Sequence, residues 1–73
     1  MKNIDEAKKI CDDFKNRQEE LWYIRDEFIT STIKELNEYM PLEDDGSAQY
    51  VEVMATYEAL KDEQEGLAYA YLR

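Results

Sequence analysis

Lys15-Asn16-Arg17-Gln18-Glu19-Glu20 is the stretch on which the fold turns. It separates one set of apolar residues, Ala7, Ile10, Cys11 and Phe14, from a second, Leu21, Ile24, Phe28, Ile29, Leu36, Tyr39 and Met40. At about 100° per residue on a helical wheel, both sets fall within one broad half. Either the polar stretch breaks and the first segment folds back, or one helix runs through it. All six residues tolerate helix, only Asn16 being mildly unfavourable, and no proline or glycine occurs before Pro41. The expectation is therefore one continuous helix over 4–40.

Outward from that stretch the boundaries are well signalled. Asn3 and Glu6 fit a capping box, and Asp5 and Glu6 suit the positive end of a helix dipole. Asp5 to Lys9 and Asp13 to Arg17 are i,i+4 pairs in the favourable order. Pro41 stops the helix, because the residue before proline is pushed out of the helical region. Pro41-Leu42-Glu43-Asp44-Asp45-Gly46-Ser47 reads as a loop over 41–47, tightest at Asp-Gly, and Ser47 is suited to cap a second helix over 48–72. Tyr50, Val53, Met54, Tyr57, Leu60, Leu67, Ala68, Tyr71 and Leu72 share a face of that helix. Gly66 weakens it and could end it early.

The fold class is all-α. A short loop makes the two helices antiparallel neighbours, a helical hairpin with a long first helix. Counted outward from the loop, the second helix runs out opposite residues 16–18, so residues 4–15 lack an intrachain partner. The overhang predicts a homodimer forming a four-helix bundle. The alternative is a three-helix bundle, with the first segment folded back.

A chain of 73 residues is at most one domain, here 1–73, and buries only a modest core. The net charge is −9, from eighteen acids against nine bases. That argues against direct binding to nucleic acid or an anionic membrane, which needs a basic footprint. Charge-led binding would select a basic protein surface; solubility alone also accounts for acidity. The single cysteine, Cys11, has no histidine to activate it, and the usual histidine-containing metal sites are absent because the chain has no histidine. No cofactor is expected. No apolar run approaches the ~20 residues of a membrane span, and the start, Met1-Lys2-Asn3-Ile4-Asp5, lacks the apolar core of a signal peptide. With one lone thiol, this points to the cytoplasm.

Four acidic pairs lie seven residues apart: Asp5-Glu6, Asp12-Asp13, Glu19-Glu20 and Asp26-Glu27. On a continuous helix they form a negative ladder with rungs about 10.5 Å apart. Paired carboxylates invite comparison with the magnesium clusters of all-helical nucleotide pyrophosphohydrolases. No second cluster from the other helix converges on these, so a solvated face is the simpler reading and a non-enzymatic protein is expected. Trp22 and Tyr23 fall at or beyond the polar boundary of the wheel, rimmed by Glu19, Glu20, Asp26 and Glu27. Aromatic anchors with an acidic rim have the composition of an interaction hot spot. The candidate partner-binding residues are Asp12, Asp13, Glu19, Glu20, Trp22, Tyr23, Asp26 and Glu27. Tyr69 is a second outward aromatic.

In size, charge and helical acid spacing the chain resembles, in general character, small acidic proteins of phages and mobile elements. Those occupy nucleic-acid-binding clefts of host enzymes, as inhibitors of restriction or CRISPR effectors do. The resemblance implies an inhibitor or modulator that covers a positively charged surface, including one that binds nucleic acid. The alternative is a structural module acting through its own helix pairing. Solvent exposure of Trp22 and Tyr23 favours the first, and burial in a self-interface the second. Gln18, Arg25 and Thr32, also seven apart, lie inside the apolar half. Arg25 needs a partner there, and register places it near Glu63, Gln64 and Glu65. The layer reads as a device that fixes register, or else as a binding arginine in a groove.

Overall fold

The computed structural model describes the backbone of residues 3–71 and the side chains of residues 3–67. Three helices pack against one another: α1 (Asn3–Arg17), α2 (Arg25–Asn37) and α3 (Ala48–Tyr71), with a short 3-10 turn over Trp22–Ile24 between the first two. No described residue lies in a strand. Lys8 of α1 reaches Glu52 of α3, whereas Arg25 and Asn37 of α2 meet Glu63 and Tyr57. Thus α1 runs parallel to α3, and α2 runs antiparallel to both. The particle measures 41 × 24 × 19 Å.

The continuous helix expected over 4–40 is corrected by this arrangement: the chain bends at 18–24. Phe14 is the last apolar side chain of α1 and Leu21 the next along the chain, so an unbroken helix buries nothing between them. Bending places Ala7, Cys11 and Phe14 at 0%, 1% and 5% exposure, inside one core with Phe28, Ile29, Ile33, Leu36, Val53 and Leu60. Burying one large apolar side chain is worth about 1.5–3 kcal/mol, whereas helix propensity separates ordinary residues by less than about 0.7 kcal/mol each. Tertiary burial therefore overrides local preference. Ile33, just outside the apolar half drawn for a continuous helix, joins the core because α2 is phased independently of α1. The overhang that argued for a second chain is covered within the chain.

Phe14 and Phe28 clasp the bend, their rings stacked with centroids 4.7 Å apart at 20°. Arg25 completes it. Its guanidinium lies 5.8 Å from the Phe14 ring centroid, donates to Gln18 Oε1 at 3.4 Å, and forms a two-point ion pair with Glu63, whose Oε1 is 2.9 Å from Nη2. The register argument for Arg25 and Glu63 therefore holds. Thr32 does not join that layer. It is buried, and its hydroxyl donates to the Phe28 carbonyl of its own helix at 2.8 Å.

α2 ends at Asn37 rather than Met40, and residues 38–40 tighten into i→i−3 turns before the cis Met40-Pro41 bond. The Gly46 and Ser47 amides donate to Asp44 and Asp45 carboxylates at 3.0 and 2.9 Å, and Gly46 takes φ +75°, which side-chain-bearing residues resist. Ser47 Oγ accepts the Tyr50 amide at 3.1 Å, capping α3 as its sequence suggests. Gly66 does not end α3, which runs on to Tyr71. A Cβ there would meet open space, so Gly66→Ala should raise stability by about 0.4–1 kcal/mol. Chemical denaturation checks this; no gain would mean that α3 frays before residue 66. The expected face positions Ala68, Tyr71 and Leu72, and the outward Tyr69, lie outside the described side chains.

Candidate interaction surface

The bend redistributes the acidic ladder. Two pairs lie on α1, Glu19-Glu20 in the turn, and Asp26-Glu27 at the start of α2. A straight row of rungs two helical turns apart does not form, because the helix that would carry it is broken between the second and fourth pairs.

The pairs also differ in what they already do. Lys8 Nζ lies 2.6 Å from Asp12 and 3.0 Å from Glu52, tying α1 to α3, and hydrogen bonds to these two carboxylates hold the Lys8 pKa up. Asp13 pairs with Arg17 at 3.7 Å as its spacing suggests, whereas Lys9 turns to Glu6 at 3.6 Å rather than to Asp5. Asp26 Oδ1 accepts the Glu27 amide at 2.9 Å, and both acids sit in the first turn of α2, where the helix dipole favours them. Asp12, Asp13 and Asp26 are thus engaged in the fold's own contacts. Glu19, Glu20 and Glu27 are exposed.

Between these acids the 3-10 turn presents Trp22 and Tyr23, 71% and 68% exposed. Their neighbours Leu21 and Ile24 are half-buried, and Leu21 packs against the core. Leu21 anchors the turn while its two aromatic neighbours point away. The sequence placed Tyr23 in the polar half of the wheel and Trp22 at its boundary, and the turn between α1 and α2 leaves both exposed. Sequence reasoning missed Val51, 64% exposed in the first turns of α3; its single apolar position gave no patterned signal.

The described residues contain no group of three or more potential metal ligands. Cys11 is buried, and desolvation pushes its thiol pKa up. No helix among them is long and apolar enough to cross a membrane.

Arg25 follows the 3-10 turn directly in the chain and pairs with Glu63 of α3. The hydrogen bond from Arg25 holds the Glu63 carboxyl below its ordinary value and raises the guanidinium. A carboxylate with a lowered folded pKa adds stability that is complete above its ordinary range and is lost as pH falls through the lowered value. The stability difference between the parent and Glu63→Gln should therefore shrink as pH drops below the ordinary glutamate range. Denaturant titrations at several pH values check this, and a difference constant with pH would remove the ion pair from the account. Both side chains are more than a third exposed, so the effect is modest.

Comparison of the chain with protein-family models, with curated proteins and with solved structures finds no match.

Proposed function

We propose that the protein is a small non-enzymatic binding protein that inhibits or modulates a partner by docking its 19–27 bend on a basic protein surface. The observation that carries this is the exposed Trp22-Tyr23 pair set among Glu19, Glu20 and Glu27 on a chain of net charge −9. Large aromatic side chains left in water by their own fold are suited to become the buried anchors of an interface, and the acids supply the rim and the long-range attraction.

The bend changes the form of the partner. A straight helix with regularly spaced acids would fill a long nucleic-acid channel. A compact turn fits a basic pocket or the mouth of a cleft instead, including one on a nucleic-acid-binding enzyme. Direct contact with nucleic acid is disfavoured by the charge, and the site of action proposed is the cytoplasm. The second reading, an assembly module, would use the same aromatic pair against a second copy in a homodimer.

Capture from host extract at low and high salt tests the proposal. Exposed charges are screened over about 8 Å at physiological ionic strength, so association should slow as salt rises, with a smaller effect on dissociation. Reversing the exposed pair, Glu19→Lys with Glu20→Lys, should slow association about tenfold or more at low salt and leave thermal unfolding nearly unchanged. Binding indifferent to both salt and this reversal would remove the acidic rim from recognition.

A further inference from the structure

The bend at 18–24 joins two helices yet carries few of the signals that normally end one helix and begin another. It has no glycine or proline. The 3-10 turn begins after Leu21 and α2 begins after Ile24, neither with a side-chain cap. Helix starts usually place Ser, Thr, Asp or Asn at that position, as Ser47 does for α3. The Arg25 amide donates to the Trp22 carbonyl and the Glu27 amide to Asp26 Oδ1, local bonds that helix continuing backward into residues 18–24 would exchange for i→i−4 bonds. The sequence of the bend is compatible with helix, and tertiary contacts hold it open: the packing of α1 on its own α2 and α3, Leu21 against the core, and Arg25 between Gln18 and Glu63.

That packing is transferable. α1 contributes Ala7, Cys11 and Phe14 to the core, stacks Phe14 on Phe28, and pairs Lys8 with Glu52. A second copy presents the same α2 and α3 surfaces, so α1 can make every one of these contacts there. Exchange of an identical element is a low-cost route to a dimer, since the interface already exists in the monomer. What differs is the hinge, which exchanges its turn hydrogen bonds and the packing of Leu21 for helix hydrogen bonds across 18–24, and the cost of bringing two chains together. We propose that the chain has a second assembled form, an α1-swapped dimer. In it residues 18–24 are helical, α1 and α2 form one long helix, and each α1 packs on α3 of the other copy.

Two consequences follow from charge and concentration. Two chains of −9 repel, so salt favours the dimer, whereas salt weakens docking on a basic partner. A swapped dimer and docking on a basic partner therefore respond to salt in opposite directions. By mass action, while monomer dominates, a tenfold rise in protein concentration raises the dimer-to-monomer ratio about tenfold.

The native thiol provides the test. Lys8 of α1 meets Glu52 of α3, and Cys11 and Thr56 lie about one turn further along the same two parallel helices. In Thr56→Cys, oxidation can join positions 11 and 56, within one chain in the closed monomer and between two chains in the swapped dimer. The reduced variant is equilibrated with gentle warming over a range of concentrations and salt, diluted, and oxidised. Non-reducing electrophoresis with peptide mapping then reads the linkage. The expected result is a band of twice the chain mass joined 11 to 56, growing with concentration and with salt. Glu19→Ala with Glu20→Ala, which favours helix in the hinge, should enlarge it several-fold. Glu20→Pro, which forbids helix there, should abolish it, and Glu19→Gly should diminish it should the proline variant not fold. A linkage that stays within one chain at every concentration and in the alanine hinge would overturn the proposal. So would a double-mass band joined 11 to 11 or 56 to 56.

Discussion

Phe14→Ala should cost about 3–5 kcal/mol of folding stability, the range for deleting a buried phenylalanine side chain. The ring is 5% exposed, stacks on Phe28 at 4.7 Å and carries the Arg25 guanidinium over its face. Its removal takes away the apolar contact that closes α1 on α2. The total stability of a chain this size is on the order of 4–11 kcal/mol, at about 0.05–0.15 kcal/mol per residue. The variant should therefore sit near the edge of folding. Urea denaturation followed by far-ultraviolet circular dichroism reads the loss. A cost under about 1 kcal/mol would mean that the core reorganises around the gap, and that the bend is held by Arg25 and Glu63 rather than by the rings. Phe28→Ala in the same background should add less than its own single cost, because the stack is already gone.

The same ring shows what the sequence makes legible. That Phe14 is a core residue and that the class is helical follow from periodicity, the connection around Pro41 and the Ser47 cap from turn and cap residues, and the placing of Arg25 against residues 63–65 from register. Each of these rests on local chemistry or on counting along a helix. The bend rests on neither. Residues 15–20 contain no breaker, and propensity favours carrying the helix through them. The deciding quantity is how much apolar surface α1 can bury by turning back, which depends on α3, more than thirty residues away along the chain. The one local trace is the absence of any apolar side chain between Phe14 and Leu21, which leaves a continuous helix without reward over nearly two turns. The acidic ladder fails as a straight row for the same reason, because seven-residue spacing has geometric meaning only while one helix lasts. The exposure of Trp22 and Tyr23, which the wheel left open with Trp22 on its boundary, comes from the 3-10 turn that the bend creates.

Trp22→Ala should leave stability almost untouched and strongly weaken partner binding. The side chain is 71% exposed, and surface substitutions away from special contacts usually stay within about 0.5 kcal/mol. Truncating an aromatic anchor at the centre of an interface costs about 2 kcal/mol or more, a loss of roughly 30-fold in affinity. Most of that should appear as faster dissociation, because the ring acts after encounter, whereas the acids act before it. Surface plasmon resonance against the captured partner separates the two rates. An unchanged dissociation rate would place the contact elsewhere, with Val51 the next exposed apolar candidate. Denaturation of the isolated variant discriminates further. Should Trp22→Ala instead lower its stability by more than about 1 kcal/mol in a concentration-dependent way, the indole is being covered in solution by a second copy. Tyr23→Ala should then behave alike, and the assembly reading replaces the partner reading.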